Sequence, residues 1–205
     1  RTLTQCVKPA SRGVIALPAT ADTQLKIVNP DASEAAIDLT LYGAEGEIQS
    51  LGARGITLAA YEERVIALSV LTKKATPVGV SFQASRGRAA VMAITQTQSS
   101  GTAAGPSQLG TSHLLPGIPA GATSSVVVLA NPGETRITAN LTAYGTTPAY
   151  HPQGGENISV PPHASVSVSL ENALLGEASA IQVNSDAPVM AGMAFTLGDS
   201  AQVAP

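Results

Sequence analysis

Tryptophan is absent from this 205-residue chain, and phenylalanine and tyrosine together bring aromatic content to only 3%. A core made from this composition must be aliphatic, and few flat rings remain to line a ligand cleft. Charge is also scarce. Asp, Glu, Lys and Arg make up 12%, about half the usual share for soluble proteins. Hydrophobic residues reach 44%, which excludes a disordered chain. The lone cysteine, Cys6, excludes an intrachain disulfide. That count suits a cytoplasmic protein, or an exported one that relies on its core and not on staples. No apolar run approaches the roughly 18 residues of a membrane-spanning helix. Arg1 is not a start residue, which predicts a fragment or processed form whose targeting segment or anchor lies elsewhere. Cys6 follows no apolar leader suited to lipid attachment. Lys8 and Arg12 lie near it, but no base or resolving cysteine does, so it reads as inert.

The net charge of -3 is unevenly divided. Residues 1–101 carry ten Lys/Arg against eight Asp/Glu, whereas residues 102–205 carry Arg136 alone against six acids. The second half cannot offer a nucleic acid a basic face. In the first half, Arg54, Arg64, Lys73, Lys74, Arg86 and Arg88 are offset by those eight acids, so no nucleic-acid partner is expected.

What the chain does have is an internal copy. The stretch from Asn29-Pro30 to Leu39-Thr40-Leu41-Tyr42-Gly43 returns 102 residues later, from Asn131-Pro132 to Leu141-Thr142-Ala143-Tyr144-Gly145, with six of fifteen positions identical. A period near a hundred residues is too long for a solenoid unit and suits a small domain. Ile37, Leu39 and Leu41 alternate with polar residues, as do Ala139, Leu141 and Ala143, which is the mark of a strand with one buried face. Ile56 and Leu58 match Ile158 and Val160, and Ile66 and Leu68 match Val168 and Leu170. Beyond them the offset slips by one, so Phe82 falls opposite Val183. Pro30 and Pro132 end the preceding strands, and Gly43 and Gly145 end the next. Tyr42 and Tyr144 are expected to pack at a sandwich edge, with each hydroxyl bonded to loop backbone.

Many short strands joined by Gly/Pro-rich turns predict an all-β chain of two tandem antiparallel Greek-key sandwiches. The layering is immunoglobulin-like, without the disulfide or core tryptophan. Residues 1–100 form the first sandwich, 101–112 a linker or a crossing strand, and 113–205 the second. Strands are expected near 13–17, 23–29, 35–42, 46–50, 55–59, 63–70, 77–84 and 89–95, then 124–130, 136–143, 156–160, 164–170, 179–184 and 189–197. Short helical turns are expected at Ser69–Thr72 or Ala75–Pro77, and at Glu171–Leu175. The apolar turn Leu114–Pro119 is a candidate to dock on the first sandwich.

No catalytic, cofactor or metal constellation emerges, and a non-enzymatic protein without a cofactor is expected. His113, His151 and His163 are not spaced as metal ligands and read as loop residues. No Gly-x-Ser-x-Gly elbow supports a serine nucleophile, and Gly101–Gly105 lacks the Lys-Ser/Thr of a phosphate loop. Glu45, Glu47, Glu62 and Glu63 fit turns and an edge strand better than a hydrolase pair. The contact candidates are Arg86 and Arg88, on an expected hairpin tip Ser85-Arg86-Gly87-Arg88, with Arg64 and Tyr61 as neighbours. Asn184-Ser185-Asp186-Ala187-Pro188 occupies the matching place with opposite charge.

The Asn-Pro turns, the Leu-Thr-x-Tyr-Gly strand ends and the Pro77-Val78 and Pro188-Val189 openings resemble a group of actinobacterial envelope-associated proteins with tandem extracytoplasmic sandwich repeats. The resemblance implies a location outside the membrane, behind an anchor or signal not contained in this sequence. It transfers no catalytic residue. The expected function is an envelope scaffold, spacer or protein-interaction module. The alternative is a binding module for an anionic polymer or glycan using Arg86 and Arg88. An envelope protein or polysaccharide is the partner to expect.

Overall fold

Alternating apolar and polar side chains become strands throughout the computed structural model, which describes residues 7–18, 22–72, 77–96, 101–104, 107–120, 122, 124–146, 148–171, 173–174, 179–197 and 200–204. In the first half the strands are β1 (Arg12–Pro18), β2 (Thr23–Val28), β3 (Ala35–Gly43), β4 (Gly46–Ile48), β5 (Ile56–Leu58), β6 (Glu63–Ala67), β7 (Pro77–Arg86), β8 (Ala90–Gln96) and β9 (Gly101–Ala104). Then follow β10 (Gly110–Ile118), β11 (Ser124–Ala130), β12 (Ile137–Tyr144), β13 (Ile158–Val160), β14 (Ser165–Ser169), β15 (Ser179–Leu197) and β16 (Ser200–Ala204). A short 3-10 turn spans Leu51–Ala53, and a helical turn, α1 (Leu68–Thr72), replaces the end of the strand expected over 63–70.

Every strand pairing is antiparallel. In the first half β1 and β3 flank β7, with β4 and β5 beside β3; on the facing sheet β6 and β8 flank β2, with β9 beside β8. In the second half β10 and β12 flank the first part of β15, with β13 beside β12. Its later part and β14 flank β11, and β16 joins that later part. The scheme is therefore largely shared: β1, β2, β3, β5, β6 and β9 correspond to β10, β11, β12, β13, β14 and β16, while the place of β4 holds only an isolated bridge between Ala143 and Tyr150 among the described residues. β15 also crosses from one sheet to the other as one 19-residue strand, where β7 and β8 are separate.

Three expectations change here. The stretch read as a linker contains β9 and the start of β10, because Gly101–Ala104 pairs with β8 and so completes the first half's second sheet. The apolar turn at Leu114–Pro119 is instead the body of β10, paired with β15 inside its own half. The Arg86–Arg88 connection is not a hairpin tip. β7 and β8 bond to different partners, so the chain crosses between sheets there, turning at Gly87 with φ +71. Cys6, Lys73, Lys74, Ala75, Thr76, Asn172 and Leu175 lie outside the described residues, so the Ala75–Pro77 and Glu171–Leu175 expectations rest partly on them. Glu171 and Ala173 lie in turns.

Each half buries its own aliphatic core. Leu25, Ile27, Leu39, Val80 and Phe82 fill the first; Val127, Leu129, Leu141, Ile181 and Val183 fill the second. Leu39 and Leu141, matched in the repeat, are 1% and 0% exposed. Each such side chain contributes about 2 kcal/mol of burial. A third cluster crosses the junction: Val14, Ala16 and Tyr42 meet Val128, Ala130 and Met190. Two glycines make this contact possible. A Cβ on Gly192 would overlap the carbonyl oxygen of Ala16, and one on Gly79 would overlap the Cβ of Ala130. The halves thus meet backbone to backbone.

The buried Asn29 and Asn131 explain the repeated Asn-Pro pair. Asn29 donates through Nδ2 to the carbonyls of Ser33 (2.7 Å), Leu58 (3.4 Å) and Ala59 (2.8 Å), and its Oδ1 accepts from the Asp31 amide (3.1 Å). Asn131 does the same with Thr135 (2.7 Å), Val160 (3.2 Å), Pro161 (3.1 Å) and the Gly133 amide (2.8 Å). Each Asn pins its turn to the end of β5 or β13, bonding the last carbonyl of that strand and the one after it.

Candidate functional site

The four residues singled out by sequence do gather, but around carboxylates. Arg86 Nη1 lies 2.6 Å from Glu34 Oε1. Arg88 grips Asp31 with two nitrogens, Nε at 3.0 Å from Oδ2 and Nη2 at 2.9 Å from Oδ1. Arg64 Nη2 meets Glu62 Oε1 at 2.8 Å, and the Tyr61 amide donates to the Asp31 carbonyl at 3.2 Å. The Arg88 hydrogen bonds hold the Asp31 carboxyl below its ordinary pKa and raise that of Arg88. The Ala59 amide, and then Arg64, lower that of Glu62. Tyr61 takes positive φ and is 71% exposed. This end of the first half therefore presents paired charges, and each of its guanidinium groups has a carboxylate partner.

The histidines and glutamates have structural surroundings. His113, expected in a loop, sits in β10 with Nε2–H shared between the carbonyls of Gly110 (3.0 Å) and Val189 (2.9 Å). His151 Nδ1 lies 2.7 Å from the Leu141 carbonyl. His163 stacks on Tyr42, with ring centroids 6.5 Å apart, and reaches Glu134 at 3.0 Å. Glu47 pairs with Arg54 and Glu63 with Lys26. Among the described residues no three His, Cys, Asp or Glu side chains form a metal-binding group. The Tyr42 hydroxyl meets Ser81 Oγ at 3.4 Å, and that of Tyr144 donates to Gln182 at 2.7 Å; both use side chains, not the loop backbone expected.

A site that sequence did not single out lies on the outer face of β1, β7 and β3. There a cleft of about 790 Å³ is bounded by that sheet, by Ser107–Leu109, and by Pro132 and Met190 of the second half. Its floor is a lattice of cross-strand rows. Arg12 pairs with Gln83 and Gln83 with Asp38; Val14 pairs with Ser81 and Ser81 with Thr40. The next row, Ala16, Gly79 and Tyr42, is covered by the second half. Neighbouring strands lie about 4.8 Å apart, so one row sets a cation, an amide and a carboxylate across roughly 10 Å. Arg12 is exposed and has no ion pair among the described residues, while Asp38 is half-buried. Asp38 Oδ1 accepts from the Gly55 amide at 2.7 Å.

Alternation along each strand placed these side chains outward, and that much is visible in sequence. The register that aligns three strands is set by hydrogen bonding between segments up to about seventy residues apart, which no local pattern carries.

Fold and site together define an all-β protein of β-sandwich type whose two halves share one junction cleft. The chain belongs to a family of unknown function, DUF5719, whose model matches residues 2–204. No curated protein matches the chain, and no solved structure does either.

Proposed function

We propose that this chain is a non-enzymatic extracytoplasmic envelope module serving as a rigid scaffold or spacer. We read it as two tandem Greek-key sandwiches, immunoglobulin-like in layering, with one change of order. Immunoglobulin domains place their first strand beside the second and their last beside the sixth. Here β1 lies beside β7 and β8 beside β2, so first and last strands have exchanged sheets. The resemblance to actinobacterial envelope-associated proteins supports a place outside the membrane. The alternative of anionic-polymer binding through Arg86 and Arg88 loses support, because both guanidinium groups already hold carboxylates.

One observation carries the scaffold reading: the backbone-close junction at Gly192 with Ala16 and Gly79 with Ala130. A flexible pair of binding domains has no need of such a joint, whereas a spacer must hold its length. The test exchanges the chain, in the cell that makes it, for an unrelated rigid pair of sandwiches of equal span. Restoration of the deletion phenotype is the expected result. Failure of the replacement, with rescue only by this sequence, would overturn the spacer reading.

A further inference from the structure

We propose that the junction cleft binds a short oligosaccharide, with a carboxylate-bearing sugar at the Arg12 end. The inference goes beyond the spacer reading and does not depend on it. It rests on a comparison internal to the molecule.

The second half carries the same lattice. Ser112 pairs with Asn184 and Asn184 with Asn140, matching the row of Arg12, Gln83 and Asp38. Asn140 Oδ1 accepts from the Asn157 amide at 2.8 Å, just as Asp38 Oδ1 accepts from Gly55. A neutral amide thus performs the structural task that Asp38 performs. The negative charge of Asp38 is surplus to folding, and so is the positive charge of Arg12, since Ser112 stands in its place. Both charges occur only on the face that the junction walls into a cleft. Surplus charge in a walled concavity is what a ligand would require and what the fold alone does not.

The chemistry narrows the class. Arg12 offers a free guanidinium fork suited to one carboxylate. Gln83 both donates and accepts, Thr40 and Ser81 present rotatable hydroxyls, and Asp38 keeps an oxygen for a sugar hydroxyl. Leu109 and Pro132 supply the exposed apolar surface for ring C–H faces. An extended peptide would need a free sheet edge, and the outer edge of β1 is already bridged at Val14 by Ser107, whose amide donates at 2.7 Å. The cleft's volume is that of a small-ligand site, and a junction between units is a common place for one.

The test is calorimetric titration of the whole chain with three probes: a neutral glucan hexamer, an oligogalacturonate of similar length, and inorganic phosphate. The oligogalacturonate should bind most tightly, the glucan more weakly, and phosphate not measurably. Arg12→Ser and Asp38→Asn copy residues that the second half already tolerates, so both variants should fold, as judged by unchanged unfolding midpoints. Arg12→Ser should weaken oligogalacturonate about tenfold or more and erase its advantage over glucan, while Asp38→Asn should weaken both sugars about tenfold. Asn184→Ala, on the equivalent open face, should change nothing. No binding by either sugar would overturn the proposal. So would binding that survives both cleft substitutions, or phosphate matching the oligogalacturonate, which would reduce the site to a general anion contact.

Discussion

The outer face of β1, β7 and β3 and its counterpart on β10, β15 and β12 share one register yet meet opposite surroundings. On the first, Val14, Ala16 and Tyr42 are buried beneath the second half; on the second, Leu114 and Tyr144 are 63% and 43% exposed. The turn ends differ in the same sense. Tyr61 and His163 occupy matching positions at φ 59 and 52, but Tyr61 stands in solvent while His163 stacks on Tyr42. Two positions account for the asymmetry. In the second half Val128 is paired with Gly192, and this pair lies flat against β1. At the matching place in the first half stand Lys26 and Met92, whose bulk and charge bar the same approach. Shared residues build each sandwich; unshared ones decide which sandwich docks on which.

The comparison breaks most visibly if the first half's residue is written into the second. Gly192→Met copies Met92 and drives a side chain into the Ala16 carbonyl. Separation of the halves is expected, with a loss of about 3 kcal/mol, the upper part of the range for overpacking. Denaturant unfolding should then show two transitions, and solution scattering a longer particle. A single unchanged transition would mean that the glycine contact does not couple the halves.

A smaller effect should be symmetric. Asn29→Ala and Asn131→Ala each remove a buried amide that serves three carbonyls and one backbone N–H. Each should cost about 2 kcal/mol through the unsatisfied groups left behind. The two losses should agree to within roughly 0.5 kcal/mol, the usual limit of additivity error. Unfolding midpoints of the two variants would measure them. A cost confined to one half would show that the matched hydrogen bonds are not matched in strength.

These anchors also show what could be read in advance. The Asn-Pro pair stood out in sequence because its task is local to a turn and repeats with the fold. Leu39 and Leu141 stood out because burial on one sheet face imposes a period of two. β9 and β16 are not legible in sequence, since Gly, Thr, Ala and Ser carry little apolar signal and their strands are fixed by pairing at a sheet edge. The cleft was invisible for a related reason. Arg12, Asp38 and Gln83 are ordinary outward residues on separate strands until register aligns them, and the wall supplied by Pro132 and Met190 comes from the other half. Arg86 and Arg88 drew notice as charge on a turn, but Glu34 and Asp31, which neutralise them, lie more than fifty residues away.

The mildest prediction concerns those pairs. The folded pKa values of Asp31 and Glu62 lie below the ordinary 3.8 and 4.5, held down by Arg88, by the Ala59 amide and by Arg64. Groups lowered in this way stabilise the fold above their unfolded pKa, and that contribution disappears as pH falls through the folded value. The loss therefore lies below about pH 4. It belongs to the first half alone, because Gly133 and Ala164 occupy the matching positions in the second. The carboxylates and their arginine partners all reach solvent at the surface and are screened, so the effect is small. Replacing both Arg86 and Arg88 with Ala should alter stability at neutral pH by less than about 0.5 kcal/mol, as for ordinary surface positions. The same double variant should lessen the acid-side decline of the first half's unfolding midpoint by removing the Asp31 contribution, while that of Glu62, held by the Ala59 amide and Arg64, remains. Unfolding measured from pH 6 to pH 2 by a probe in each half separates the outcomes. A loss of several kcal/mol at neutral pH would show that these pairs belong to the fold's support and not to its surface, and an acid-side decline that begins in the second half would show that they do not set the pH response.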